Sequence, residues 1–240
     1  MVFDFQSSRA RAGPTSFLSG FKGHLQTDGY SGYNEIIRLR SIVRIACWAH
    51  TRRGFYKAKA FHLQECTLIL GLIQKLYHIE REAKAAGLDC AAKVDLRRRE
   101  ATGILEALKL AIADASGKVL PESLLGKAAQ YALHRWDELT RYVEVGEAEI
   151  DNNSVENAIR AVAVGRKNWL FLGHPEGGGL RAEVFYSLIG SCQRLGANPY
   201  EYLKDVIHRV STHPASRVQE LIPRFWLAER QKAAVVPSQG

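Results

Sequence analysis

Two acidic side chains stand in settings suited to chemistry. Asp28 lies in His24-Leu25-Gln26-Thr27-Asp28-Gly29-Tyr30, where a short extended run delivers a carboxylate at its carboxyl end and Gly29 lets the backbone turn sharply. In open sheets with parallel strands, ligands and catalytic groups gather at that edge. Glu156 lies in residues 149–173, EIDNNSVENAIRAVAVGRKNWLFLG. Asp151, Asn152, Asn153 and Ser154 are acceptors suited to the open amides of a helix start. Val155, Ala158, Ile159 and Val162 then recur at the spacing of a buried helical face. That spacing sets Glu156 and Arg160 one turn apart on the adjoining flank. Gly165 is expected to end the helix, and Arg166, Lys167, Asn168 and Trp169 follow as two cations, an amide and an indole, a phosphate-contact edge. Plainer readings stand beside these. Asp28-Gly29 is also an ordinary turn, Asn153 and Glu156 have capping-box spacing, Glu156 and Arg160 that of a surface ion pair, and Trp169 to Leu172 reads equally as a buried run.

A third group follows the β-branched run Ser41 to Ala46. Cys47 and His50 are two potential zinc ligands, but zinc prefers four and no second pair lies at suitable spacing. Arg52 and Arg53, with Lys57 and Lys59 beyond, form a basic helical face. Residues 1–60 hold 10 Lys and Arg against 3 Asp and Glu, whereas residues 61–145 balance at 12 and 12, so nearly all of the net charge of +8 sits in the first quarter. A clustered basic excess is the footprint of a polyanionic partner, nucleic acid first among them.

The elements that must position these groups are legible as patterns. Val2 to Phe5 alternates and predicts a strand; Thr15 to Phe21 predicts a brief helix; His24 to Thr27 and Ser41 to Ala46 predict two more strands. Residues 62–145 change character. Leu63, Cys66, Leu70, Ile73 and Tyr77 keep helical spacing up to Gly87, Ile104, Leu105, Leu108 and Ile112 up to Gly117, and a third run opens at Pro121 and lasts to Gly146. The glycine-rich stretch 174–179 lacks a phosphate-cradle pattern and reads as a flexible connector. Two further helices follow, through Val184 to Leu195 and after Asn198-Pro199, and then a polar tail expected to fray.

With 46% hydrophobic residues among 240, the chain can bury a sizeable core of one or two domains. Its longest apolar run breaks at Gln74 and Lys75, far short of the roughly 18 residues of a membrane span. The first residues lack a signal-peptide layout, and the four scattered cysteines suit a reducing cytoplasm, the expected location.

The strings LQTDGYSGY, CWAHTRRGF, LPESLLGKAAQYAL, IDNNSVENAIRAVAVGRKNWLF and YSLIGSCQRLGANPYEYLKDV, in that order, closely resemble the transposase of the insertion-sequence-sixty-six family of bacterial mobile elements, from about Phe21 to Trp226. The resemblance implies a DDE transposase on a ribonuclease-H-like α/β fold, in which three carboxylates hold two Mg2+ or Mn2+ ions for phosphoryl transfer on transposon-end and target DNA. Carried over, Asp28 matches the second carboxylate and Glu156 the third; Arg52, Arg53, Arg160, Arg166, Lys167, Asn168 and Trp169 are the expected DNA contacts. The expected fold is a helix-dominated α/β chain with a partial ribonuclease-H-like sheet. Residues 1–60 form the first part of the catalytic core, 61–147 a helical insertion, 148–212 the second part of the core, and 213–240 a tail. Asp4 precedes Asp28 by too little to be the first catalytic aspartate and matches the third strand, so one ligand is lacking and the chain reads as a truncated, inactive fragment. The expected partners are DNA and further transposase subunits. The competing expectation is a non-catalytic DNA-binding or assembly module that interferes with a full-length enzyme, and a third is a metal-dependent nuclease, which needs the same complete carboxylate set.

Overall fold

The computed structural model describes residues 1–8, 10–39, 41–168 and 173–235. The chain divides into two compact units, residues 10–159 and residues 1–9 with 160–240.

The first unit opens with α1 (Ala12–Phe17), three residues ahead of the predicted start, and β1 (Gly23–Gln26). A single 3-10 turn and α2 (Asn34–Leu39) then lead to β2 (Ile42–Ile45). The strands pair in parallel, Gly23 opposite Ile42 and Gln26 opposite Ile45. A parallel pair needs such a crossover connection. From β2 the chain turns at Cys47 into α3 (Trp48–Ala58), followed by α4 (Leu63–Ala85), α5 (Cys90–Gly117), α6 (Leu124–His134) and α7 (Trp136–Thr140). The third predicted run is therefore interrupted at Arg135. In α4 the buried positions Cys66, Ile69, Ile73, Leu76, Ile79 and Ala83 repeat every three or four residues, which is why the segment is helical and which face it hides. One hydrophobic core runs from Ile45 and Trp48 through Phe55, Ile69, Ile73, Leu108, Ile112 and Leu125 to Tyr142. Trp48 anchors it: its indole N–H donates to the Leu139 carbonyl at 2.9 Å, and its ring meets Trp136 edge to face at 6.0 Å.

Arg97, 1% exposed, closes this unit. Its guanidinium grips Glu80 through two bonds of 2.8 and 2.6 Å and donates to the carbonyls of Tyr142, Val145 and Ala148. Five donors thus satisfy a carboxylate and three main-chain acceptors, and the return segment is fixed on α4 and α5.

Helix α8 (Asn153–Asn168) begins in this unit and passes into the second. It does not stop at Gly165, because one glycine costs a helix only about 1 kcal/mol. Its apolar positions Val155 and Ile159 are 53% and 48% exposed, so the face expected to be buried is largely open.

In the second unit the stretch Pro175–Gly179 is a turn of wide helix that continues into α9 (Leu180–Arg194), not a connector. A Cβ on Gly179 would overlap the Phe5 ring, so the glycine permits a close approach there. Val2 to Phe5 is not a strand of the sheet. The Phe3 and Phe5 amides donate to Ser187 Oγ at 2.8 Å and Glu183 Oε2 at 2.7 Å, and Ser191 Oγ donates to the Met1 carbonyl at 2.9 Å. An extended segment with period two is satisfied by side chains four apart on a helix. Helices α10 (Pro199–Val210) and α11 (Pro223–Val235) follow, the first capped by Asn198. The expected frayed tail is helical through Val235, because Trp226 is buried against Tyr202, rings edge to face at 5.3 Å, and its N–H donates to Asp205 at 2.8 Å.

Candidate active site

Thr27 extends β1 by one bond, its amide donating to the Ile45 carbonyl at 3.1 Å, and Asp28 follows at the strand's carboxyl end. The turn is fixed from several sides. Tyr30 donates its amide to Asp28 Oδ1 at 3.0 Å, the Tyr131 hydroxyl donates to the Asp28 carbonyl, and Arg135 donates to the Gly29 carbonyl, both at 3.3 Å. Gly29 has φ +89°, and an added Cβ would lie 3.0 Å from the Tyr131 hydroxyl. Burial, then the Asp28 charge, pushes the neighbouring Tyr33 hydroxyl up from its ordinary value.

The segment leading to Glu156 is laid against the same strand. The Gln26 side chain bonds the main chain of Glu149, donating to its carbonyl at 2.6 Å and accepting from its amide at 3.4 Å. The Trp48 amide donates to the Ile150 carbonyl at 3.1 Å, and the Asn152 amide to Cys47 Sγ at 3.4 Å. Asp151 is buried and organises the start of α8. It accepts from the Tyr77 hydroxyl at 2.7 Å and from both the amide and side chain of Asn153. Asn153 is the first residue of α8 and not the residue before it, and its side-chain amide donates to Asp151. The Glu156 carboxylate turns to α3, 3.4 Å from His50 Nε2 and 3.8 Å from Arg53.

Asp28 and Glu156 are thus both neighbours of one stretch of α3, the first across a cavity and the second in contact. His50 and Arg53, the partners of Glu156, line with Asp28, Lys57, Lys127 and Tyr131 a cavity of roughly 320 Å³. His50 is 23% exposed, and its Nδ1 is buried without a protein partner. Cys47, which with His50 was too short a set for zinc, is the fully buried residue at the start of α3; burial pushes its thiol up, which keeps it protonated and inert. Sequence reasoning missed His50 as the neighbour of Glu156, and it missed Tyr131 and Arg135 as supports of the Asp28 turn. The only signal for them was their place in the helical runs.

The remaining predicted contacts are placed less closely. Arg52 is exposed on α3, and Arg160 is exposed on α8. Arg166, Lys167 and Asn168 occupy the last turn of α8 and do not follow it, and Trp169 lies outside the described residues. Among the described residues, no three His, Cys, Asp or Glu side chains cluster as a metal site. The carboxylate oxygens of Asp28 and Glu156 are of the hard kind that a magnesium-like ion takes.

A parallel strand pair among helices, with an acidic residue at a strand end and another on a helix beside a basic face, defines a helix-dominated α/β protein with a cleft bordered by charged residues. Comparison with known proteins makes this specific. Residues 1–179 match the family model described as Transposase IS66 family, and residues 187–224 match the IS66 C-terminal element, so the chain belongs to the IS66 transposase family. It is similar to two proteins of Sinorhizobium fredii named as uncharacterized. It is 32% identical to y4jD, over 94% of this chain and 45% of that protein, and 33% identical to y4qI, over 93% and 42%. The chain spans less than half the length of these relatives. No solved structure matches it. Among the described residues no helix is long and apolar enough to cross a membrane.

Proposed function

We propose that this chain carries part of the catalytic domain of a DDE-type DNA transposase with a ribonuclease-H-like core, and that Asp28 and Glu156 are two of its carboxylate ligands for Mg2+ or Mn2+. The observation that supports the reading most is that Glu156 contacts His50 and Arg53 of α3 while Asp28, far away in sequence, lines a cavity with the same two residues. In such an enzyme the ions, when bound, activate an attacking hydroxyl and stabilise the leaving oxygen of a phosphodiester. The chain's own residues have separate tasks. The Tyr131 and Arg135 bonds aim the Asp28 turn, His50 holds the Glu156 carboxylate, and Arg53, Lys57 and Lys127 supply positive charge beside Asp28 for phosphate oxygens.

By itself the polypeptide is proposed to be inactive, since two carboxylates leave a paired-ion site short of a ligand. Incubation with Mn2+ and DNA bearing the element's terminal repeats tests this. No nicking is expected, whereas metal-dependent nicking that disappears in Asp28→Asn and Glu156→Gln would refute inactivity and retain the ligand assignment.

A second reading, a DNA-binding or assembly module acting on a longer transposase, draws on the exposed cations Arg52, Arg53 and Lys57 of α3. It requires DNA affinity that falls steeply with salt and survives Glu156→Gln. Affinity abolished by that substitution would count against it.

A further inference from the structure

A second concavity lies along α3, next to the stretch that carries His50 and Arg53. On α3, Ala49, Arg52, Arg53 and Tyr56 lie on one helical stripe; on α4, Leu70, Gln74, Tyr77 and Arg81 form the facing one. Between them is a groove of roughly 650 Å³, with Lys59 at one end and Asn153, the first residue of α8, at another. Four cations line it, Arg52, Arg53, Lys59 and Arg81, and no Asp or Glu does among the described residues. Two carboxylates stand behind its lining: Glu156, 3.8 Å from Arg53 in an exposed pair of little energetic weight, and buried Asp151, which is taken up by bonds from Tyr77 and Asn153. Tyr56 is 62% exposed, with the Arg52 guanidinium 5.9 Å from its ring centre. Arg53 lines this groove and the Asp28 cavity alike.

We propose that this groove binds a single nucleic-acid strand, its phosphates on Arg52, Lys59 and Arg81 and a base stacked on Tyr56, and that α4 thereby guides the strand toward the carboxylates. Unopposed cations beside an exposed aromatic ring are the chemistry of a single-strand site, where the backbone is held by charge and any base face can stack. The geometry excludes a duplex from the groove itself. A concavity of roughly 650 Å³ along the seam of two packed helices has room for a stretch of one strand and not for a duplex. The task falls to the helical segment after β2, whose Arg81 and Gln74 have no part in the Asp28 turn or the Glu156 contacts.

The inference rests on the nucleic-acid reading above but not on the metal, so the test is run in EDTA. A fluorescein-labelled oligothymidylate of about 15 nucleotides is titrated with the full chain by fluorescence anisotropy. The Lys59→Gln/Arg81→Gln variant is expected to bind about tenfold more weakly. Its log-log salt slope should be lower by about 1.4, or about 0.7 for each phosphate that is no longer neutralised. Tyr56→Ala is expected to weaken binding about fivefold or more, and Arg98→Gln, which removes a cation outside the groove, to weaken it far less. Circular dichroism melting verifies that each variant is folded. Unchanged affinity in the double variant, an equal weakening in Arg98→Gln, or equal binding of a duplex of the same length would each overturn the proposal. Failure of Mn2+ to bind Asp28 and Glu156 would undo the catalytic reading and leave these outcomes as they stand.

Discussion

Gly29 determines where the Asp28 carboxylate points. Its φ of +89° belongs to the region that side chains disfavour, and the space where a Cβ would stand is bounded by Tyr131 and Arg135. Gly29→Ala is therefore expected to cost about 1–3 kcal/mol, read as a lower urea midpoint with an unchanged slope; an unchanged midpoint would show that the turn is not under this constraint. Glu156 has a different dependence. Its helix start is held by buried Asp151 through Tyr77 and Asn153, so Tyr77→Phe, which leaves one carboxylate oxygen short of a donor, should destabilise by about 1 kcal/mol. Burial, then the bond to Asp151, raises the Tyr77 hydroxyl well above its usual range, so it stays a donor at any working pH. Asp28 was legible because Thr27-Asp28-Gly29 joins an extended run to a glycine. Asp151 was legible as a helix-start residue, but its role as the acceptor that Asn153 and Tyr77 share was not, since that depends on α4 arriving from 74 positions upstream.

Among the elements, the long helices were plain in the sequence because their core residues repeat with period 3.6, as in α4, and because Asn198-Pro199 is a cap followed by a residue preset for the first turn. What escaped was set by partners, not by periodicity. Val2 to Phe5 alternates as a strand would, yet its amides are taken by Ser187 and Glu183 of α9. Pro223, which looked like punctuation in a tail, is the first residue of α11. Arg97 sits in a run of three arginines that reads as solvated surface, but it is the buried hub of the return segment. Arg97→Ala strands Glu80 and three carbonyls and should cost about 3–5 kcal/mol, measured by chemical denaturation; a loss below about 1 kcal/mol would mean the hub is not needed. In the second unit, burial pushes the Asp205 carboxyl up, but its bonds from Trp226 and Arg209 outweigh that and leave it lowered. A lowered carboxyl stabilises the fold above its unfolded pKa of about 3.9 and loses that contribution as pH falls through the lower folded value. Trp226 fluorescence should thus report loosening of α10 and α11 below about pH 4, and Asp205→Asn should flatten that acid transition. An unaltered transition would contradict the assignment.

Of the ten Lys and Arg in the first sixty residues, Arg52, Arg53 and Lys57 lie on α3, which borders both the Asp28 cavity and the groove proposed for a nucleic-acid strand. Charge in the sequence pointed to a polyanion but not to two separate concavities, because Arg81 comes from a segment whose own charge is balanced. The open face of α8, with Val155 and Ile159 exposed, likewise could not be read from a periodic pattern that looked like core. As proposed, Asp28 and Glu156 share one cation. Mn2+ affinity, followed by electron paramagnetic resonance in the wild type, Asp28→Asn, Glu156→Gln and the double variant, measures this directly. Each single change is predicted to weaken binding by about tenfold or more, with the double variant little worse than either, since a shared ion is released only once. Independent, additive losses, or affinity unchanged by both, would contradict it.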